Sequence, residues 1–263
     1  MTQQTLYTTH GYIGAVLDFE RPTAPTKAYL VASSFRSGSN HLCLTLWETG
    51  VLGAPWEYFN YDNDKRFMYS RLAAQSPGDY VRKLAACRTS RNGVFGVKAH
   101  FRHFEVALRE YPPLLEVLRD VKFVYINRRD KIAQAVSLAR ALQTGAWYTF
   151  TQSDRFPLFY SREFIDECVE EVRKQAHSWI QWFRERNVTP LTVHYESLLA
   201  DPAATVASVA NYVGVELDAA ARLQIPRMVK QSDGINQEWC ARYRRDHNLP
   251  ANGEHSFAWD VTP

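Results

Sequence analysis

Four short apolar segments, each followed by a helical pattern, constrain the fold of this chain more than any other feature. They are Lys27–Ser33, Val94–Ala99, Val121–Ile126 and Thr189–Val193. Short apolar runs between turn residues favour strands buried on both faces, and strands that alternate with helices favour a parallel sheet covered by helices. We therefore predict a single α/β domain with a central parallel sheet over residues 27–263. Residues 1–26 are polar and irregular, which predicts an N-terminal arm.

The size and charge of the chain fit one large globular domain. It has 263 residues, of which 46% are hydrophobic and 22% are charged, so its core needs no disulfides. The formal net charge of +3 is too small to predict nucleic-acid binding. It is compatible with a strongly anionic ligand if the basic residues gather at one site.

The cysteines and the N-terminus predict a chain of the cytoplasm that holds no metal. Cys43, Cys87, Cys168 and Cys240 are far apart and form no C-x-x-C pair, which favours buried apolar side chains over a zinc site. Residues 1–20 lack a basic start followed by an apolar run, and no stretch approaches the length of a membrane span.

The segment Ser33–Asn40 joins the first predicted strand to a helix and has the features of an anion-binding loop. The N-terminus of a helix offers unpaired N–H groups and the positive end of its dipole, and Gly38 lets the backbone approach a ligand. The side chains that can contact an anion are Arg36, Ser37, Ser39 and Asn40. A capped helix without a ligand explains the same residues, so the loop alone leaves both interpretations open.

This loop differs from the phosphate loop of nucleoside-triphosphate enzymes. Their motif, G-x-x-x-x-G-K-[ST], supplies a Lys for the β- and γ-phosphates and a hydroxyl for magnesium. Ser33–Asn40 has one Gly and no Lys, and Arg36 precedes the Gly. The pattern disfavours a P-loop kinase, and it favours a donor that transfers its group without an obligatory metal. A nucleotide-binding protein without transfer activity stays open as a further alternative.

A second anion site is predicted after the third strand. Arg128 and Arg129 follow the strand, and Ser137 lies about two and a half turns along the succeeding helix. Because the carboxyl ends of parallel strands share one edge of a sheet, we expect these residues on the same edge as Ser33–Asn40. The competing interpretation is a solvated strand-to-helix turn.

Together these segments resemble the sulfotransferases that use 3′-phosphoadenosine 5′-phosphosulfate (PAPS), and most closely the bacterial trehalose 2-sulfotransferase family. The similarity touches most of residues 27–247, and the blocks occur in the family's order. They are AYLVASSFRSGSN (28–40), GVLGAPWEYFNY (50–61), NGVFGVKAHF (92–101), NRRDKIAQAVSLARALQT (127–144) and QEWCARYRRD (237–246). The segment VHYESLLADP (193–202) resembles the wider superfamily.

The resemblance implies a P-loop-like sulfotransferase fold, a homodimer and a PAPS donor. The residues implied for the 5′-phosphosulfate are Arg36, Ser37, Gly38, Ser39 and Asn40. The nearest family implies Arg128 and Ser137 for the 3′-phosphate, whereas the spacing in the wider superfamily implies Arg129. Arg242 and Arg244 of the C-terminal block are further candidates for the nucleotide or for closing the site.

The resemblance also implies a general base, Glu57. Sulfuryl transfer requires removal of the acceptor's hydroxyl proton, and a positioned carboxylate can accept it. We expect the aromatic neighbours of Glu57 to desolvate the carboxylate, to raise its basicity and to stack on sugar faces. These neighbours are Trp56, Tyr58 and Phe59.

A second candidate base lies on the second predicted strand. The pair Lys98-x-His100 is similar to the strand of animal cytosolic sulfotransferases whose His is the base, whereas the nearest family keeps the Lys and not the His. His100 is therefore a base, a polar contact to the acceptor or a structural His. Lys98 is a candidate to neutralise the bridging oxygen of the donor.

Two departures from the nearest family fall on the acceptor side. Phe35 stands where that family has a polar Gln, and Ala54 stands where it has Glu. We therefore predict a carbohydrate hydroxyl as the acceptor and leave its identity open among trehalose, another glucoside and a glycolipid or glycan.

Overall fold

The computed structural model describes residues 14–60, 64–147, 158–217 and 234–250. Within them, four parallel strands form one sheet in the order β2-β1-β3-β4. The strands are β1 (Lys27–Ser33), β2 (Val94–His100), β3 (Lys122–Asn127) and β4 (Leu191–His194). The prediction of a central parallel sheet is therefore confirmed, with each strand within two residues of its predicted bounds.

Helices cover both faces of this sheet. They are α1 (Ser39–Trp47), α2 (Asp64–Arg71), α3 (Pro77–Arg88), α4 (Phe101–Glu110), α5 (Pro113–Val117), α6 (Lys131–Thr144), α7 (Arg162–Glu185), α8 (Tyr195–Ala200), α9 (Pro202–Val213) and α10 (Gly234–Asp246). The main apolar core surrounds the sheet, and a second cluster lies between α6, α7 and α10. Polar caps and left-handed residues fix the helix ends: Asp130 accepts from the N–H of Ala133 at the start of α6, which ends at Gly145 with φ 70°.

The strand register brings the candidate site residues to one edge of the sheet. Ser33 at the end of β1 lies opposite His100 at the end of β2 and Ile126 near the end of β3. Asn127 in turn lies opposite His194 at the end of β4. All four carboxyl ends therefore meet, as expected for ligand-binding edges of open α/β sheets.

One predicted helix is interrupted. The apolar spacing predicts a single helix over 104–118, but α4 ends at Glu110 and the short α5 begins at Pro113. Pro112 and Pro113 have no backbone N–H to donate within a helix, and their rings clash with the preceding turn. The chain therefore turns at Tyr111–Pro112, and Phe104 and Ala107 of α4 and Leu114 of α5 still pack in the core.

Part of the predicted N-terminal arm packs on the body. A short 3-10 helix, Ala15–Leu17, buries Leu17 in the main core. The next residue, Asp18, accepts from Arg71 at 2.7 and 3.0 Å and pairs with the buried Arg88 at 3.0 Å. Residues 1–13 of the arm and 251–263 of the predicted domain lie outside the described residues, and the boundary after residue 26 stays a prediction.

Candidate active site

The loop between β1 and α1 turns sharply just before the helix begins. Gly38 precedes α1 with φ 88°, and a Cβ atom there would lie 2.1 Å from the ring of Tyr195, so only glycine fits. Arg36 is also left-handed, with φ 59°. Gly38 has no side chain to cap the first turn of α1, and the buried Oγ of Ser37 has no hydrogen-bond partner among the described residues. These donors suit an anion.

Arg36 connects this loop with the predicted second site. Its Nε donates to Oγ of Ser137 at 2.9 Å, and its Nη1 donates to the carbonyl oxygen of Trp147 at 2.7 Å. Burial lowers the pKa of Arg36 to about 10, and the nearby charge of Arg128 acts in the same direction. Arg36 stays protonated at neutral pH, and it lies between the residues of the two predicted anion sites.

The two candidate arginines of the second site differ in their surroundings. The guanidinium of Arg128 lies 5.1 Å from the ring centroid of Tyr195, which also covers Gly38, and its buried Nε has no hydrogen-bond partner in the described part of the chain. The backbone N–H of Arg129 donates to both carboxylate oxygens of Glu196 at 3.0 and 3.2 Å. The structure thus brings Arg128 against the first loop.

A buried carboxylate lies beside the same loop. Glu57 is 7% exposed, and its Oε1 accepts from Nζ of Lys98, which also donates to Oδ1 of Asn40 in the first turn of α1. Nε2 of His100 lies 3.5 Å from the same Oε1, and Nδ2 of Asn60 donates to Oε2 at 2.9 Å. The structure therefore brings the three predicted catalytic residues into direct contact.

The pKa of Glu57 is shifted in the direction opposite to the sequence prediction. Burial acts to raise its pKa, but the ammonium of Lys98 and the contact with His100 outweigh burial and hold the pKa well below 4.5. The expectation that its aromatic neighbours raise the basicity of Glu57 is therefore wrong. The groups that lower the pKa are distant from Glu57 in the sequence. The ammonium of Lys98 comes from β2, and an opposite charge in contact favours the ionised carboxylate.

Ser33 fixes the orientation of His100. The hydroxyl of Ser33 donates to the carbonyl oxygen of Ala99 at 3.2 Å, while Nδ1 of His100 lies 3.1 Å from Oγ and 3.3 Å from the carbonyl oxygen of Ser33. Since that hydroxyl proton is already donated, Nδ1 faces two acceptors, and the network assigns a proton to Nδ1. Nε2 then faces Glu57. The sequence analysis gave Ser33 no such role.

Phe35 packs beside these residues, against the ring of His100. Its ring centroid lies 4.5 Å from that of His100 and 5.9 Å from that of Trp147. Two buried amides hold its backbone: Gln175 accepts from the N–H at 3.0 Å, and Gln134 donates to the carbonyl oxygen at 2.6 Å. The position of Phe35 is therefore set by the backbone, and its side chain covers the imidazole of His100.

The aromatic residues around Glu57 belong to the core. Trp56 is 1% exposed and has Nζ of Lys98 5.4 Å from its ring centroid. Tyr58 is fully buried and donates to the carbonyl oxygen of Ala54, and Phe59 packs among other buried aromatic rings. These rings are enclosed by the core and leave no open face on which a sugar could stack.

The two arginines of α10 have different neighbours. Arg244 forms a salt bridge with both oxygens of Asp130, the N-cap of α6, at 3.0 and 3.1 Å, which places it next to the second anion site. Arg242 is half-exposed and lies 4.0 Å above the ring of Tyr160. The structure brings Arg244, and not Arg242, to the residues of the predicted nucleotide site.

No group of three or more His, Cys, Asp or Glu side chains in the described ranges could hold a metal ion. Among the described helices, none is long and apolar enough to cross a membrane.

Two cationic loops and a buried carboxylate therefore lie at one edge of an open parallel sheet, the place where α/β enzymes bind their ligands. Residues 28–246 match the Stf0 sulphotransferase family, and the chain belongs to that family.

Curated relatives of the chain include two trehalose 2-sulfotransferases. That of Mycolicibacterium smegmatis is 30% identical over an alignment that covers 83% of this chain and 95% of the relative. That of Mycobacterium tuberculosis is 29% identical and spans 84% and 95%. Among solved structures, a sulfotransferase from Alicyclobacillus acidocaldarius aligns with a TM-score of 0.44 and 15% identity over 87% of this chain and 98% of that one.

Proposed function

We propose that this chain transfers a sulfuryl group from PAPS to a hydroxyl of a carbohydrate, with Glu57 as the general base and without a metal. The observation that carries the proposal is the contact of Lys98 with both Glu57 and Asn40. It joins a buried carboxylate to the anion-binding loop, so that a proton acceptor and the donor's reacting end can meet at one point.

The donor site proposed here combines both cationic groups. The loop residues Arg36, Ser37, Gly38, Ser39 and Asn40 would hold the 5′-phosphosulfate, and Arg128 with Ser137 would hold the 3′-phosphate. Two buried donors without a hydrogen-bond partner among the described residues, Oγ of Ser37 and Nε of Arg128, support this fit. Arg36, hydrogen bonded to Ser137, would neutralise charge at both ends of the nucleotide. Arg244 would steady the second site through Asp130.

In the proposed reaction the acceptor oxygen forms a bond to sulfur as the bond between sulfur and the phosphate oxygen breaks. The hydroxyl proton passes to Glu57, and Lys98 stabilises the charge that develops on the leaving phosphate. Lys98 neutralises Glu57 before the donor binds. A phosphosulfate at the loop would share that ammonium, and the carboxylate would become a stronger base.

His100 is the alternative base. With its proton on Nδ1, the imidazole can accept a second proton on Nε2, and this atom lies 3.5 Å from Glu57. The two side chains can therefore exchange a proton, and a variant of each separates their roles.

The acceptor proposed here is a sugar hydroxyl. The two trehalose 2-sulfotransferases support the chemical class, and Phe35 next to His100 distinguishes this chain on the acceptor side. Trehalose, another glucoside and a glycolipid or glycan are the candidates. A homodimer and a place in the cytoplasm stay predictions from the sequence.

Two measurements test the proposal. Thermal shift should show stabilisation by 3′-phosphoadenosine 5′-phosphate (PAP) without magnesium, and none by ATP; the reverse order would contradict the donor assignment. Transfer from ³⁵S-labelled PAPS should then be screened against trehalose, other glucosides and envelope glycans. If PAP binds tightly but none of these acceptors becomes labelled, the proposed carbohydrate acceptor is wrong.

A further inference from the structure

The segment that opens α8 contacts both anion-binding loops, although the proposed reaction gives it no role. The carboxylate of Glu196 accepts from the backbone N–H of Arg129 at 3.0 and 3.2 Å and from that of Asp130 at 3.4 Å. The ring of the preceding residue, Tyr195, packs against Gly38 and lies 5.1 Å from the guanidinium carbon of Arg128. Glu196 therefore ties the loop after β4 to the loop after β3.

The two N–H groups that Glu196 accepts lie at the start of α6. Backbone N–H groups at a helix start have no partner within the helix, and a carboxylate there is also favoured by the helix dipole. Arg129 directly follows Arg128, while Asp130 caps the helix that carries Ser137. Glu196 thus holds the stretch of backbone between the two residues of the second anion site.

We propose that Glu196 is a positioning residue for the 3′-phosphate site and sets the selectivity of the donor site for a 3′-phosphorylated nucleotide. The inference rests on the proposed function, because it takes Arg128 and Ser137 as the partners of the 3′-phosphate. Glu196 acts through the backbone next to Arg128 and does not itself contact the phosphate. A small rotation of that backbone displaces the guanidinium, whereas the first loop, anchored on β1, keeps its donors.

The test compares the dissociation constants of PAP and of adenosine 5′-monophosphate, which lacks the 3′-phosphate, by isothermal titration calorimetry. The variants are Glu196→Ala, Glu196→Gln and, as the matched control, Glu105→Ala on the exposed face of α4. Glu196→Ala should reduce the preference for PAP by about tenfold or more, because it removes the charged acceptor of the N–H groups next to Arg128. Glu196→Gln keeps one acceptor oxygen and should reduce the preference for PAP about threefold. The control should match the wild type.

The results distinguish failure of the proposed donor site from failure of the inference about Glu196. If the wild type itself does not prefer PAP, the proposed donor site is wrong. If the wild type prefers PAP and a folded Glu196→Ala keeps that preference, the inference about Glu196 is overturned. A purely structural role would lower the melting temperature and weaken both ligands equally, which also overturns it. Should Glu196→Ala fail to fold, the isosteric Glu196→Gln decides, and an unchanged preference rejects the inference.

Discussion

The hydroxyl of Ser33 lies 3.1 Å from Nδ1 of His100, and this contact sets which ring nitrogen faces Glu57. The two residues end neighbouring strands in register, so the contact follows directly from the parallel pairing of β1 and β2. Ser33 of β1 thereby determines which ring nitrogen of His100, on β2, can accept a proton beside Glu57.

Replacement of Ser33 by Ala should lower kcat about three- to tenfold, the effect of one neutral hydrogen bond. The variant leaves Nδ1 with only the carbonyl oxygen of Ser33, at 3.3 Å, so the preference for a proton on Nδ1 weakens. KM for the acceptor and the dissociation constant of PAP should change little, because the imidazole loses its fixed orientation and not its place beside Glu57. Ser70→Ala, at an exposed position of α2, is the control. An unchanged kcat in a folded Ser33→Ala variant would contradict an orienting role.

Glu57→Gln should remove turnover by about 10²–10⁴-fold while PAP affinity changes little. The amide keeps the shape of the side chain and an oxygen for Lys98, but it cannot accept a proton. Single-turnover kinetics and calorimetry measure the two effects separately. The matched variant is His100→Ala: if it abolishes turnover while Glu57→Gln stays active, His100 is the base.

Lys98→Met should destabilise the protein by about 3–5 kcal/mol at neutral pH, because it leaves a buried carboxylate without its ammonium partner. In the wild type the pKa of Glu57 is held well below 4.5. Its ionised form therefore contributes stability above pH 4.5 that is lost as pH falls through the folded pKa. Without Lys98, burial is opposed only by the contacts from His100 and Asn60, so the pKa of Glu57 rises and stability is instead lost as pH rises.

Thermal melting as a function of pH checks the Lys98 prediction. The double variant Glu57→Gln with Lys98→Met removes both charges and should recover much of the lost stability. A loss of stability that is equal at every pH, or that persists in the double variant, would show that Lys98 stabilises the protein by the packing of its aliphatic side chain rather than by its charge.

The sheet and its edge could be predicted from sequence, because apolar runs and helical spacing are local signals. The direction of the pKa shift at Glu57 could not be predicted in this way. Its sequence neighbours are aromatic, and the ammonium that reverses its pKa comes from Lys98, which lies 41 residues away. Pairing of this kind depends on register and side-chain direction, and no local pattern encodes it. The same applies to Glu196, whose partners at Arg129 and Asp130 lie on another loop.

Arg128→Ala should weaken PAP about tenfold to a hundredfold and leave adenosine 5′-phosphosulfate nearly unchanged. The reason is that a charge-assisted contact to the 3′-phosphate is lost, whereas the first loop keeps its donors. Arg129→Ala is a matched control, since the same loop carries both arginines. Equal losses for both ligands would refute a role at the 3′-phosphate, and a larger effect of Arg129→Ala would transfer the role to that residue.

Phe35→Gln should change the choice of acceptor without changing donor affinity. The backbone of Phe35 is held by Gln134 and Gln175, so the loop keeps its shape when the side chain changes. The lost ring contacts His100 and Trp147, and a polar amide in its place would rearrange the hydrogen bonds offered to a sugar.

We expect the Phe35→Gln variant to raise KM for the acceptor that the wild type prefers by about tenfold, the effect of one lost apolar side-chain contact. Its dissociation constant for PAP should stay within about twofold. Phe159→Gln is the control, because that ring is 61% exposed at the surface. Transfer rates across a panel of sugars, with PAP affinity measured in parallel, separate the two effects. If PAP binding falls together with acceptor turnover, Phe35 supports the donor loop and not acceptor choice.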